Sequence, residues 1–256
     1  MKKNLAIFIS DDFFSKYSYE KLKKDYNLFP FSLKKSKIFD SFVLKDANLN
    51  LLLDFFKKNK IELVFFTGKV NQNIVFGNLH VSAQKLLSNI EYFKPEEIMK
   101  EIANFLENNG FGILKQDEVF KEEIAEEKIY TYPLNEKEKK DVKFGFSVLM
   151  DIIKHNIGQS LIVKNGMILG VEGIEGTDEF IKRIGKYCTD FVFIKGCSDE
   201  KDARFDLPVI GTKTIKNLIK AKGKVIAVKA GKTIILNKEK VIEECLKNKI
   251  KLAGVK

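Results

Sequence analysis

Several residue types are scarce in this chain, and each scarcity argues against a class of protein. Its 256 residues include three cysteines, two histidines and no tryptophan. Cys188, Cys197 and Cys245 show no CxxC spacing, which favours reduced, packed thiols over disulfides or a zinc site. His80 and His155 are too few for a histidine-rich metal centre, so any metal must be held mainly by oxygen ligands.

Long apolar runs are also missing. No stretch approaches the roughly 20 apolar residues that a membrane-spanning helix requires. The apolar run at residues 5–10 is too short for a signal peptide and leads into Asp11 and Asp12 without a small-residue cleavage site. We therefore interpret it as a first β-strand and expect a cytoplasmic protein.

Three common catalytic or nucleotide-binding motifs do not occur. No Gly-x-Gly-x-x-Gly follows the first strand, where Ser10-Asp11-Asp12 stands instead. The chain also lacks the Gly-Lys-Ser/Thr ending of a P-loop and the Gly-x-Ser-x-Gly of serine hydrolases. A dinucleotide fingerprint and a serine-hydrolase mechanism are therefore not expected.

The balance of charge is basic, with 45 Lys and Arg against 35 Asp and Glu. Such a surface can attract nucleic acid, anionic lipid or phosphorylated substrates. The lysines are scattered, however, which fits a general preference for lysine, and no zinc finger or RNP-like motif is present. We therefore expect no nucleic-acid partner.

Alternating strand and helix patterns predict an α/β protein with two domains. In the N-terminal half, strands at 5–10 and 61–67 alternate with helices at 15–26 and 95–109, and this order favours an open, mostly parallel sheet. The charged stretch at 121–140 contains Pro133 and suggests a linker. The predicted domains are residues 1–128 and residues 136–256, joined by a linker at 129–135.

The C-terminal half is predicted to be a mixed α/β domain. An Asn165-Gly166 turn predicts a β-hairpin over 160–171, and Thr177 is a plausible N-cap for the helix that follows it. The other predicted elements are helices at 136–156, 177–187, 212–222 and 238–248, a strand at 191–195, and a second hairpin over 225–236 about Ala230-Gly231.

A glycine-rich and acidic loop at residues 170–178 is one candidate functional segment. Gly170, Gly173 and Gly176 let backbone approach a ligand closely. The loop leads into a helix N-terminus, where backbone N–H groups favour phosphate. The alternative is a glycine-rich turn that carries solvated acids.

A second candidate segment is residues 202–208. Arg204 could bind a phosphate in bidentate fashion, and Asp202 and Asp206 could hold Mg²⁺. The alternative is a local Arg–Asp pair in a loop. Lys195 could add a phosphate contact or be a solvated strand end, and Gln159 could simply open a strand. Together these groups supply what cleavage of a phosphoanhydride requires, namely cations or metal for the phosphoryl oxygens and an acid to orient water.

Three blocks, at residues 158–166, 171–178 and 204–211, resemble the LpxI family in order and spacing. These proteins are UDP-2,3-diacylglucosamine pyrophosphatases of lipid A biosynthesis. Thr67-Gly68-Lys69 is similar to the Gly-Lys segment of the family. The resemblance implies a Rossmann-like N-terminal domain, a distinct C-terminal catalytic domain, and Mg²⁺-dependent hydrolysis to UMP and 2,3-diacylglucosamine 1-phosphate (lipid X).

The resemblance also implies a set of site residues and partners. The expected substrate is a lipid-linked nucleotide sugar, while a homodimer and peripheral contact with the inner face of the inner membrane stay open. Departures from the family pattern in the N-terminal half leave a non-catalytic nucleotide-sugar or lipid-binding protein as the alternative. The expected catalytic residues are Asp206, Glu175 and Asp178; the expected substrate-binding residues are Gln159, Gly173, Gly176, Thr177, Lys195, Arg204, Gly68 and Lys69; the expected metal ligands are Asp206, Asp202 and Glu172.

Overall fold

The chain folds into two compact units. The structure, a computed structural model, describes residues 2–67, 79–88, 90–91, 94–155 and 157–256. Unit 1 comprises Met1–Val119 together with Asp202–Asp206, and unit 2 comprises Phe120–Lys201 together with Leu207–Lys256. Each unit combines helices with a sheet, which confirms the predicted two-domain α/β class.

Unit 1 is built on a five-stranded parallel sheet. The strand order is β3-β2-β1-β4-β5, and each described pair of neighbours runs parallel. This is the order of Rossmann-type sheets, so the expected Rossmann-like domain is confirmed. The strands are β1 (Asn4–Phe8), β2 (Asn27–Ser32), β3 (Phe42–Val43), β4 (Leu63–Phe66) and β5 (Gly112–Ile113).

Local signals define the helices of unit 1. Asp12 caps the first helix by accepting a hydrogen bond from the Ser15 backbone N at 2.7 Å. The fourth helix has a proline in its first turn, and Gly110 follows its end with φ of 88°, as the sequence predicts. The helices are α1 (Phe13–Leu22), α2 (Leu49–Lys58), α3 (Val81–Leu87), α4 (Pro95–Asn108) and α5 (Gln116–Val119), with a 3-10 turn at Lys45–Ala47.

Phenylalanines dominate the core of unit 1. The ring of Phe56 packs edge-on against Phe31 and Phe111, with centroids 5.5 and 5.0 Å away. Phe205 belongs to the same buried cluster and is 1% exposed, although it lies far along the chain. The returning segment therefore contributes directly to the hydrophobic core of unit 1.

Unit 2 contains a six-stranded mixed sheet in the order β6-β13-β11-β9-β7-β8. The central strand β11 runs parallel to β9 and β13, whereas β7 runs antiparallel to β8 and β9. A separate pair of short strands, β10 and β12, is parallel. The strands are β6 (Lys128–Ile129), β7 (Ser160–Lys164), β8 (Met167–Val171), β9 (Val192–Lys195), β10 (Val209–Ile210), β11 (Val225–Lys229), β12 (Ile234–Ile235) and β13 (Lys251–Val255).

The predicted hairpin about Asn165-Gly166 is confirmed. Both residues have positive φ, 49° and 76°, as a two-residue Asn-Gly hairpin turn requires. The helices of unit 2 also lie close to their predicted positions, and no helix of the described chain is long and apolar enough to cross a membrane. The helices are α6 (Glu136–Lys154), α7 (Gly176–Gly185), α8 (Thr212–Lys220) and α9 (Lys238–Lys247).

The predicted second hairpin, over residues 225–236, is wrong. Strand β11 pairs in parallel with β9 and β13, and β12 pairs with β10 instead of returning beside β11. The first four residues of β11 are all buried. Such a continuous apolar run is typical of a strand covered on both faces, and a hairpin strand with one solvated face would alternate instead.

The residues predicted as a linker, 129–135, lie in unit 2. Strand β6 pairs antiparallel with β13, and Tyr130 donates its backbone N–H to the Leu252 carbonyl at 2.9 Å. The Thr131 hydroxyl donates to the Ile250 carbonyl at 2.9 Å. Backbone pairing with the last strand therefore fixes this stretch, although its charged composition suggested low burial.

Candidate active site

The acidic loop between β8 and α7 begins directly at a sheet edge. Glu172 follows the last residue of β8, and its backbone N–H donates to the Ser160 carbonyl of β7 at 2.9 Å. A Cβ at Gly158 would lie 2.1 Å from the Glu172 carbonyl oxygen. The absence of a side chain at Gly158 therefore lets the two chain segments run closely together at this edge.

A buried polar network joins the loop to the neighbouring strands. The Lys195 Nζ donates to the Thr177 Oγ1 at 2.9 Å and to the Ser160 Oγ at 3.2 Å, and it lies 3.5 Å from the Glu172 Oε2. The Thr177 hydroxyl donates in turn to the Glu172 Oε1 at 2.8 Å. Lys195 is 5% exposed and Glu172 is 9% exposed. Lys195 is therefore a buried, hydrogen-bonded cation and not a solvated strand end.

Sheet register explains how this network forms. Ser160 pairs with Lys195 across the antiparallel strands β7 and β9, which places their side chains on one face of the sheet. Helix α7 begins at Gly176, one residue before the predicted cap Thr177, and Glu175 occupies the cap position. The predicted capping role of Thr177 is therefore wrong, because Thr177 already lies inside the helix, where its hydroxyl contacts Lys195 and Glu172.

Two further acids, one at the cap position of α7 and one in its first turn, are paired with cations. Glu175 accepts from the Arg183 Nη2 at 2.7 Å, and this hydrogen bond lowers the pKa of Glu175. Asp178 accepts from the Asn217 Nδ2 at 2.7 Å and lies 2.7 Å from the Lys213 Nζ. The Asp178 hydrogen bond and charge raise the pKa of Lys213. The Glu175 carboxylate also accepts a hydrogen bond from the backbone N–H of Gly173.

The Arg-Phe-Asp block lies in unit 1. Arg204 pairs with Asp202, with 2.7 Å between its Nη2 and the carboxylate Oδ2, as the alternative interpretation expected. Burial raises the pKa of Asp202, but the hydrogen bonds and charge of Arg204 outweigh burial and leave the pKa below its ordinary value. Asp206 is exposed and has a left-handed backbone, with φ of 56°.

The predicted site residues thus fall into three groups. Among the described residues, no three His, Cys, Asp or Glu side chains form a group that could hold a metal ion. Gln159 accepts at its carbonyl from the Gly196 N–H at 3.0 Å, beside the network. Unit 2 holds Gln159, Glu172, Gly173, Glu175, Gly176, Thr177, Asp178 and Lys195; unit 1 holds Asp202, Arg204 and Asp206; Gly68 and Lys69 lie outside the described residues.

Two polar residues in these networks are not among the predicted site residues. Ser160 lies in the predicted hairpin over 160–171, but its contact with Lys195 depends on a strand register that the sequence does not display. Asn217 reaches Asp178 from helix α8, where it is buried among apolar neighbours. An asparagine on the buried face of an amphipathic helix was the available signal for the second contact.

Comparison with known proteins agrees with this architecture. The sequence model of the LpxI N-terminal domain matches residues 29–123, and that of the LpxI C-terminal domain matches residues 126–253. The chain belongs to the LpxI family. A curated relative, UDP-2,3-diacylglucosamine pyrophosphatase LpxI of Caulobacter vibrioides, is 30% identical over 111 residues. That match spans 40% of this chain and 40% of the relative.

Membership of the LpxI family confirms the resemblance that the three sequence blocks carry. The LpxI C-terminal match includes both the acidic loop and the Arg-Phe-Asp block. The fold nevertheless divides them, because Asp202–Asp206 joins unit 1 while the loop belongs to unit 2. In this LpxI-family chain, the sequence domains and the packed units are therefore not identical.

Proposed function

We propose that this chain hydrolyses the pyrophosphate bond of UDP-2,3-diacylglucosamine to give UMP and 2,3-diacylglucosamine 1-phosphate. The observation that carries the proposal is membership of the LpxI family across both domains. The pyrophosphatase activity in the name of the Caulobacter vibrioides relative supports the choice of substrate. In the reaction, the oxygen of water bonds to one phosphorus, the bridging P–O bond breaks, and each product keeps one phosphate.

Helix α7 offers a place for the anionic diphosphate. Its first backbone N–H groups carry the positive end of the helix dipole, which favours phosphate. Gly176 opens the helix with φ of 76°, and an added Cβ there would meet nothing within 4 Å. We propose that the Gly173–Gly176 loop and the first turn of α7 bind the diphosphate oxygens.

In this proposal Lys195 supports the loop and the first turn of α7 and does not bind the substrate directly. Its Nζ is directed at oxygens of Thr177, Ser160 and Glu172. The lysine thereby fixes Thr177 in the first turn of α7 and adds positive charge close to the helix end. Glu172 balances that charge and connects the lysine to the start of the loop.

Asp206 is the proposed essential acid. It is the exposed member of the three predicted metal ligands, whereas Glu172 is buried and Asp202 is partly buried. A hard cation such as Mg²⁺ suits a carboxylate that leaves room for water and substrate phosphates. The ion would supply charge stabilisation on the phosphoryl oxygens. Asp206 fits this role because it is exposed to solvent.

A direct assay tests the proposed function. Purified protein is incubated with UDP-2,3-diacylglucosamine in the presence of Mg²⁺ or of EDTA, and UMP and the acylated sugar phosphate are followed together. We expect equal release of the two products that depends on Mg²⁺. Tight binding without release would contradict hydrolysis and favour the non-catalytic binding protein.

A further inference from the structure

The segment that carries Asp206 is anchored inside unit 1 at several points. The Gln116 backbone N–H donates to the Ala203 carbonyl at 2.7 Å, and Gln116 is itself 2% exposed. Its side-chain Nε2 donates to the Phe66 carbonyl at 2.9 Å, at the end of strand β4. Phe205 is buried in the aromatic core of the same unit. The residues immediately before Asp206 are therefore held by backbone pairing and by apolar packing.

Arg204 adds a polar clamp to this anchor. Its Nε and Nη2 donate to the Asp202 carboxylate at 3.0 and 2.7 Å. Its Nη1 donates to the Asn104 Oδ1 at 3.2 Å and to the Glu107 Oε2 at 2.6 Å, and both of these residues lie on helix α4. The guanidinium thus bridges its own segment to a helix about 100 positions earlier in the chain.

These contacts engage all three nitrogens of the guanidinium. A bidentate grip on a phosphate needs two N–H groups, and these contacts already use four of the five, so such a grip would have to break at least one existing contact. The Arg204 side chain is also only 15% exposed. Its present geometry therefore fits a structural clamp better than the phosphate contact that the sequence suggested.

We propose that Arg204, together with Asn104 and Glu107 of α4, is a positioning device that fixes the direction of the Asp206 carboxylate. This inference rests on the proposed function, in which Asp206 is the essential acid. Asp206 follows buried Phe205 directly, and its left-handed backbone with φ of 56° sets where its side chain leaves the chain. A small misplacement of a catalytic group can slow a reaction by up to about a hundredfold. Loosening the contacts of Arg204 should therefore lower kcat.

Kinetics on the full-length protein test the clamp. In Arg204→Lys the ammonium cannot contact Asp202, Asn104 and Glu107 at once. We expect kcat to fall about tenfold in Arg204→Lys and about threefold in Glu107→Gln, with KM for UDP-2,3-diacylglucosamine within about twofold of wild type. In an Arg204→Lys background, Glu107→Gln should cause little further loss, because the two changes remove one shared interaction.

Glu101→Gln is the matched control, since it is the same substitution on the same helix without a described contact to Arg204. An increase in KM with unchanged kcat in Arg204→Lys would show that Arg204 binds substrate and would overturn the proposal. Equal kcat values for Glu107→Gln and Glu101→Gln would also overturn the proposal.

A second measurement keeps this inference separate from the proposed function. Hydrogen–deuterium exchange of a peptide spanning residues 202–207 should become faster in Glu107→Gln and Arg204→Lys but not in Glu101→Gln. If wild-type protein released no UMP, the proposed function would fail while this exchange result still decided whether the clamp exists. An unchanged exchange rate of this peptide in both Arg204→Lys and Glu107→Gln would overturn the clamp proposal.

Discussion

At the scale of single residues, the most demanding feature is the burial of Lys195 beside Glu172. Two charges withdrawn from water are stable only when paired and hydrogen-bonded, and removing one partner leaves an uncompensated buried charge. Ser160 and Thr177 supply the remaining hydrogen bonds of the lysine. The network is thus a specific structure that tolerates the loss of both charges better than the loss of one.

Replacing Lys195 by Met should therefore lower the free energy of unfolding by about 3–5 kcal/mol. The double variant Lys195→Met with Glu172→Gln should recover part of that loss, because it no longer leaves a lone buried charge. Urea unfolding measures both values. Lys154→Met is the control, since its pair with Asp151 is 72% exposed on both sides, and we expect a change within about 0.5 kcal/mol. A double variant less stable than Lys195→Met alone would contradict the argument.

A test of Asp206 needs a substitution that is compatible with its left-handed backbone conformation. Asn tolerates the left-handed region nearly as well as Asp, whereas Ala does not. Asp206→Asn should keep the wild-type unfolding free energy within about 0.5 kcal/mol but lose most turnover of UDP-2,3-diacylglucosamine. Asp190→Asn, at another positive φ of 54°, should remain active. Full activity of Asp206→Asn in a steady-state assay would remove this carboxylate from the reaction.

At the scale of helices and strands, the sequence predicts correctly those features that depend only on residues close together in the chain. The Asn165-Gly166 turn and the helix predicted at 95–109 follow from residues within one element, and both are confirmed, the helix as Pro95–Asn108 with Gly110 after its end. The hairpin predicted for β11 and β12 is wrong because each strand pairs with a different partner, β11 with β9 and β13 and β12 with β10, and these partners lie elsewhere along the chain. Propensity can suggest that a strand exists, but only packing decides which strand lies beside it.

The β7–β8 hairpin is held by a partner outside it. Asp141 of helix α6 accepts from the backbone N–H groups of Asn165 and Gly166 at 2.8 and 2.7 Å, and it is 6% exposed. Asp141→Ala removes both acceptors, although water can reach the exposed turn and replace part of the loss. We therefore expect a destabilisation of about 1–2 kcal/mol.

Thermal or urea unfolding of Asp141→Ala checks this value. Asp151→Ala on the same helix is the matched control, because Asp151 is exposed and forms only a surface pair with Lys154. Its effect should stay within about 0.5 kcal/mol. Equal effects in the two variants would show that the hydrogen bonds to the turn contribute nothing measurable.

At the scale of the whole molecule, the sequence predicted two α/β domains but not how the chain is shared between them. The return of Asp202–Asp206 to unit 1 depends on Phe205 fitting an aromatic core formed by much earlier residues. The clamp partners Asn104 and Glu107 are equally distant, and neither stands out in an ordinary amphipathic helix. The sequence therefore identifies candidate site residues by their side-chain types, but it does not predict the distant contacts that position them.

The place of Phe205 leads to a prediction about which unit depends on it. Phe205→Ala creates a cavity in the core of unit 1 and should lower the stability of that unit by about 3–5 kcal/mol. Hydrogen exchange should then lose protection in β1 and β4, which line this core, while β9 and β11 of unit 2 keep theirs.

Phe144→Ala is the control for this substitution, because Phe144 is 41% exposed on α6 and its removal opens no buried cavity. Exchange in both units should then stay close to wild type. Loss of protection in β9 and β11, with β1 and β4 unchanged, would contradict the assignment of Phe205 to the first unit. The expected pattern would instead show that Phe205, which lies within the C-terminal sequence domain at 126–253, stabilises the core of the N-terminal unit.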